Sequence, residues 1–118
     1  MIQFINTKNE NLIAARLSGK LNEENLKTVH DRIHQILDKG HKVDFYFELD
    51  DFDGYTFKGF WEDIKTDAAH IDDYGKLAFV GTKKWQKWAA RATDFFTRSE
   101  AKYFEVKNKE QAMAWINS

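Results

Sequence analysis

Short apolar runs alternate along this chain with longer segments in which apolar residues recur every three or four positions. A short apolar run is typical of a buried strand, and the longer recurrence is typical of a helix that covers a sheet. The predicted order is ββαβαβαβα, with strands at 1–5, 12–17, 41–49, 77–81 and 101–106. Because strands that alternate with helices favour right-handed crossovers, we expect an α/β fold with a mixed, mostly parallel sheet covered by helices.

The local signals at the ends of these elements sharpen that prediction. A short polar stretch joins the first two strands, so we expect them to form an antiparallel pair. The run 77–81 is continuous and apolar, which is typical of a strand covered on both faces, and we expect it to be central. The predicted helix N-caps are Asn22, Thr56, Thr82 and Asn108, the last with Gln111 as a capping box, and Gly40 is placed to end the first helix.

Length and composition limit the class of protein. A chain of 118 residues is near the commonest size for one domain, so we expect a single domain over 1–118. The formal net charge of −1 gives no electrostatic reason to expect nucleic-acid binding. The absence of cysteine rules out disulfides, thiol catalysis and zinc–thiolate sites. With no signal-peptide pattern and no apolar run of roughly 20 residues, we expect a cytoplasmic protein without a transmembrane segment.

A set of residues spread along the chain resembles the SpoIIAA-like group of STAS domains, also described as STAS/SEC14-like. They are Gly19, the stretch 48–54 (ELDDFDG), Trp61, Asp63, the stretch 78–81 (AFVG), Trp85, Phe104, Ala112 and Trp115. The resemblance covers essentially the whole chain. It implies a right-handed βα superhelix that acts as a binding or regulatory module and not as a self-sufficient enzyme.

The resemblance also raises a protein-interaction alternative. In the anti-sigma-factor antagonists of this group, a phosphorylated serine opens the helix after the third strand, within an Asp-Ser-Ser-Gly-like stretch. This chain has no such stretch, and Thr56 is the nearest hydroxyl; Asp51 and Asp53 would repel a phosphate there. Asp51, Asp53 and Thr56 are therefore a candidate regulatory loop for a protein partner, and a homodimer is an open alternative.

Two sequence patterns resemble catalytic or metal-binding motifs but lack the other features that such sites require. Asp51, Asp53 and Gly54 resemble the signature of magnesium-dependent phosphatases, but that signature belongs after the first strand of a larger fold. His30 and His34 are one helical turn apart, a spacing that suits a metal, but no third ligand is evident. We therefore expect no catalytic residues, no metal and no cofactor, and a magnesium-dependent phosphatase remains the remote alternative.

Aromatic residues are unusually dense between positions 52 and 96. Those at helical spacing on the second and third predicted helices, with one from the preceding loop, are Tyr55, Phe57, Phe60, Trp61, Trp85 and Trp88. Burial of these side chains against the sheet is the simpler interpretation. The functional hypothesis is that the two helices leave an aromatic-lined groove for a lipid-like or other apolar small molecule. A non-enzymatic ligand-binding module is therefore the leading hypothesis.

Overall fold

A computed structural model of the protein describes residues 2–19, 22–50, 74–81 and 100–118. These residues form β1 (Ile2–Phe4), β2 (Leu12–Ser18), α1 (Glu23–Asp38), β3 (Val43–Asp50), β4 (Tyr74–Gly81), β5 (Glu100–Glu105) and α2 (Lys109–Ile116). The five strands form one sheet in the order β1-β2-β3-β4-β5. β1 runs antiparallel to β2, and the other neighbouring pairs are parallel. The predicted mixed, mostly parallel α/β sheet is therefore confirmed.

The alternation of side chains along the strands creates two buried layers, one on each face of the sheet. On the α1 face, Val29, Ile33 and Ile36 of the helix pack against alternate strand residues such as Phe45 and Phe47. On the α2 face, a smaller cluster contains Leu12, Ala14, Tyr46, Ala78, Val80, Ala112 and Ile116. Every residue from Leu77 to Val80 is at most 2% exposed, because β4 lies between β3 and β5 with both faces covered. β4 is thus an interior strand as predicted, although β3 occupies the middle of the sheet.

The first helix begins and ends where its sequence predicts. The side chain of Asn22 accepts a hydrogen bond from the Asn25 N–H (2.8 Å), and the Asn25 side chain accepts one from the Asn22 N–H (3.3 Å). This reciprocal pair satisfies two N–H groups that have no partner within the helix. At the other end Gly40 has φ +81°, a left-handed conformation that glycine adopts without steric cost. Both ends are therefore set by residues close in sequence.

The capping box predicted for the last helix is wrong. A 3₁₀ turn, Val106–Asn108, precedes α2 and holds Asn108 at φ −109° and ψ 19°. An N-cap residue needs an extended backbone for its side chain to reach the N–H groups of the first turn. Asn108 accordingly makes no capping hydrogen bond. The 3₁₀ turn instead leads the chain from β5 directly into α2.

β4 begins three residues earlier than predicted, because a side chain takes part in strand pairing. The register between β3 and β4 shifts between Val43 and Phe45. At this irregularity the Asp44 carboxylate accepts a hydrogen bond from the backbone N–H of Lys76 (2.8 Å). A Cβ atom at Gly75 would collide with that carboxylate. An alanine at position 75 would therefore displace the Asp44 carboxylate that completes this pairing.

The second and third predicted helices, with caps at Thr56 and Thr82, lie outside the described residues. Of the two helices that the structure describes, neither is long and apolar enough to cross a membrane.

Candidate functional site

The aromatic residues and the loop predicted from sequence follow two neighbouring strands of the sheet. Tyr55, Phe57, Phe60, Trp61, Trp85 and Trp88, and also Asp51, Asp53 and Thr56, all lie outside the described residues. The strands that lead into them are described. Glu48 of β3 is paired with Val80 of β4, so these parallel strands end beside each other, at Asp50 and Gly81. The two aromatic-rich segments therefore start from adjacent points on the carboxyl edge of the sheet.

A cleft of about 190 Å³ opens at this same edge, on the side of the sheet that α2 covers. It is lined by Arg16, Glu48, Leu49, Asp50, Val80, Val106 and Lys109. Three neighbouring parallel strands and the start of α2 thus contribute to one concave surface, which we call the carboxyl-edge cleft. The carboxyl ends of parallel strands are where open α/β sheets commonly bind ligands.

Strand register brings a charged pair together beside this cleft. Arg16 of β2 lies directly opposite Glu48 of β3, and their side chains share the α2 face. The guanidinium Nε donates to Glu48 Oε2 at 3.0 Å, and Nη2 lies 3.0 Å from the same oxygen. The other carboxylate oxygen, Oε1, accepts a hydrogen bond from the Tyr46 hydroxyl at 2.9 Å. Both oxygens of Glu48 are therefore occupied by donors from the protein itself.

The electrostatics of this group keep Tyr46 protonated. Burial raises the pKa of the Tyr46 phenol, and Glu48 raises it further by accepting the phenolic proton and repelling a phenolate. Arg16 acts in the opposite direction but does not outweigh these effects. Tyr46 is therefore a hydrogen-bond donor at neutral pH and is unsuited to act as a base. The Tyr46–Glu48–Arg16 group orients the guanidinium at the mouth of the cleft.

Two other charged residues that line the carboxyl-edge cleft differ from Arg16 and Glu48 in their contacts. Within the part of the chain that the structure describes, the side chains of Asp50 and Lys109 take part in no hydrogen bond or ion pair. Both residues are exposed. The cleft also has an apolar wall formed by Val80 and Val106, whereas the side chain of Leu49 packs in the cluster on the α1 face of the sheet. Val106 is 49% exposed, which is unusual for a large apolar side chain in this structure.

A second cluster of functional-looking residues lies at the opposite edge and serves the fold. Lys76 Nζ donates to the Trp115 carbonyl (3.3 Å) and to the Ser118 carbonyl and hydroxyl (both 3.0 Å). A cation at the C-terminal end of a helix satisfies free carbonyl groups and opposes the negative end of the helix dipole. Lys102 Nζ lies 4.9 Å from the centre of the Trp115 ring on the same surface. These contacts hold the end of α2 against the sheet.

The histidine pair of α1 lies apart from both clusters. His30 is half-buried and His34 is exposed. Among the residues that the structure describes, no three histidine, aspartate or glutamate side chains come together as a metal site.

With this geometry established, comparison with known proteins identifies the family. The sequence profile described as SpoIIAA-like matches residues 12–117, a range that contains every described element after β1. The chain belongs to the SpoIIAA-like family. No protein of curated function matches the sequence.

A solved structure shows the same SpoIIAA-like fold. It is the crystal structure of an uncharacterised protein of the DUF3478 family, with a SpoIIAA-like fold, from Shewanella loihica PV-4. The two chains superpose with a TM-score of 0.62 and are 23% identical, and the match covers 98% of this chain and 92% of the other. At this identity the likeness concerns the fold alone.

Several residues on which the family resemblance rested have visible structural roles. Gly19 has φ +62° at the end of β2, and Ala78 is fully buried on the α2 face. The rings of Phe104 and Trp115 lie 6.1 Å apart and pack beside the α2 cluster. Sequence reasoning missed Arg16 and Lys109, because neither belongs to a motif. The spacing of Tyr46 and Glu48 on one strand face was a usable signal, but identifying Arg16 as their partner required the strand register.

Proposed function

We propose that this SpoIIAA-like protein is a non-enzymatic binding module that takes an apolar small molecule at the carboxyl edge of its sheet. The observation that carries the proposal is the pairing of Glu48 with Val80. This register makes the chain leave β3 and β4 side by side, at the rim of a cleft with an apolar wall. The aromatic residues Phe57, Phe60, Trp61, Trp85 and Trp88 follow in sequence from those two points.

The state of the Tyr46–Glu48–Arg16 group supports binding without catalysis. A general base needs a free acceptor within reach of substrate, with a pKa near the working pH. Glu48 has donors on both oxygens, and the raised pKa of Tyr46 keeps its hydroxyl protonated. The Tyr46–Glu48–Arg16 group is therefore suited to fixing the position of the Arg16 side chain and not to proton transfer.

The volume of the cleft indicates that a ligand would contact two parts of the chain. Pockets for drug-sized ligands commonly span about 300–1,000 Å³. The carboxyl-edge cleft, at about 190 Å³, matches only part of such a ligand. The proposal assigns the remaining apolar contact to the aromatic residues of 51–73 and 82–99.

Native mass spectrometry of the freshly purified protein, followed by organic extraction, tests this function. We expect an additional mass that is released on denaturation and recovered as an apolar compound. Trp61→Ala and Trp85→Ala should each reduce the retained fraction. The matched control is Trp115→Phe, because Trp115 lies at the opposite edge of the sheet, and it should retain the ligand as wild type does.

Protein prepared from several expression hosts without any bound mass would contradict the proposal. A clean dimer, or a partner lost on Thr56→Glu, would then favour the protein-interaction alternative with its loop of Asp51, Asp53 and Thr56. Phosphatase turnover with magnesium that is abolished in Asp51→Asn would favour the remote hydrolase alternative.

A further inference from the structure

The carboxyl-edge cleft has more free hydrogen-bond donors than free acceptors. Arg16 directs Nε and Nη2 toward one oxygen of Glu48, so Nη1 has no partner among the described residues. The Arg16 side chain is 46% exposed, and it lines the cleft. Lys109 adds a free ammonium group, whereas Asp50 is the one lining carboxylate whose oxygens accept no bond within the described part of the chain. An incoming acceptor therefore finds unused N–H groups.

Lys107, two residues before Lys109, provides an internal comparison because its surroundings differ. Lys107 Nζ lies 3.4 Å from Glu105 Oε2, and Lys107 is not part of the cleft lining. Lys109 lines the cleft and has no ion pair among the described residues. Two lysines in one short segment thus have the same charge but different surroundings.

We propose that Arg16 and Lys109 bind a singly charged oxyanion group, so that the ligand is an amphiphile with a carboxylate or phosphodiester head. This inference rests on the proposed function, because it assigns the polar end of that same ligand. Glu48 holds the guanidinium in a fixed orientation, which lowers the entropy lost when an anion binds. The four charged residues of the lining sum to zero formal charge, so the site lacks the net positive charge that a polyanion would need, and the attraction for an anion is confined to the unused N–H groups of Arg16 and Lys109.

The position of the apolar wall indicates how the same ligand would be oriented in the cleft. Val80 and Val106 border the charged residues within one cleft, so an anionic head near Lys109 leaves its tail against apolar surface. The exposed Val106 lies between the sheet and the first residue of α2. Burial of that side chain by an alkyl tail would add hydrophobic stabilisation to the charge-assisted hydrogen bonds of the head.

Titration monitored by ¹⁵N–¹H NMR tests the head-group site. The probes are decanoate, decyl methyl phosphate, which is a phosphodiester with one negative charge, and decanol, each kept below the concentration at which it forms micelles, at constant ionic strength. We expect both anions to bind the wild type about tenfold or more tightly than decanol, as charge-assisted hydrogen bonds imply. The ranking of decanoate and decyl methyl phosphate then distinguishes a carboxylate head from a phosphodiester head.

Single substitutions test which residues bind the anionic head group. Lys109→Gln should weaken binding of the anions about tenfold while binding of decanol stays unchanged, and Lys107→Gln should bind all three as wild type does. Arg16→Lys keeps the positive charge beside Glu48 but removes the planar fork, so it should weaken anion binding with the fold retained.

Equal affinity for decanoate and decanol, or equal effects of Lys107→Gln and Lys109→Gln, would overturn the head-group site and leave the apolar-binding function standing. Absence of binding by all three probes would overturn both.

Discussion

The two edges of the parallel sheet use similar residues for different purposes. At the amino edge, Lys76 caps the end of α2 and the Asp44 carboxylate completes the pairing of β4. At the carboxyl edge, Arg16 and Glu48 pair with each other, but Lys109 and Asp50 remain without partners among the described residues. Charge at the first edge is used to stabilise the fold, whereas charge at the second edge is available to a ligand. The next experiments test that difference.

The largest loss in the free energy of unfolding is expected at the amino edge, from Gly75→Ala. The added Cβ would collide with the Asp44 carboxylate and break its hydrogen bond to the Lys76 N–H. We expect the free energy of unfolding to fall by about 2–3 kcal/mol, measured by urea denaturation. The double variant Asp44→Ala/Gly75→Ala removes the collision, so its loss should be smaller than the sum of the two single losses. Strictly additive losses would contradict this account of Gly75.

The next largest change in the free energy of unfolding is expected from Tyr46, and it appears only at alkaline pH. Its pKa is raised above the ordinary value of 10.0, chiefly by burial and further by Glu48. The folded protein therefore keeps a proton that the unfolded chain has released, so this contribution to stability is complete below pH 10 and decreases as the pH rises above it. Between about pH 10 and 11.5, wild type should lose up to about 1.4 kcal/mol per pH unit more than Tyr46→Phe.

Urea denaturation across that pH range measures the difference for Tyr46. Tyr103, whose pKa burial and then Glu105 also raise, is present in both proteins and cancels in the comparison. Parallel curves of stability against pH for wild type and Tyr46→Phe would show that the phenol of Tyr46 ionises as freely in the folded state as in the unfolded one.

A smaller effect is expected from Lys76→Gln, which removes the cation from the C-terminal end of α2. The free energy of unfolding should fall by about 1 kcal/mol, and amide exchange in the last turn of α2 should accelerate. Lys102→Gln is the matched control, because Lys102 contacts the same Trp115 ring without capping the helix. A loss for Lys102→Gln as large as that for Lys76→Gln would assign the effect to the ring contact.

The smallest effect on stability is expected at the carboxyl edge. Lys109→Gln and Asp50→Asn remove exposed charges without described partners, so each should change the free energy of unfolding by less than about 0.5 kcal/mol. A loss above 1 kcal/mol, as expected for Lys76→Gln, would remove the distinction between the two edges.

Sequence reasoning succeeded where the deciding contacts are local and failed where they are not. Asn22 and Gly40 were predicted correctly because a helix end depends on residues a few positions away. Asn108 stands at the N-cap position as predicted, but its capping box was wrong because the path of the chain from β5 imposes a 3₁₀ turn that the sequence pattern does not reveal. Lys76 and Gly75 were left out of β4 because their place in the strand depends on Asp44, 32 positions away from Lys76.

For this protein, the sequence by itself determined the alternation of strands and helices, the ends of α1, the apolar interior strand and membership of the SpoIIAA-like family. These features follow from periodicity and from turn chemistry within short windows of sequence. Only the tertiary structure decided that Arg16 meets Glu48 and that Lys109 stands free at the same cleft. Strand register and the placement of α2 set these contacts, because they depend on packing between segments that are distant in the sequence.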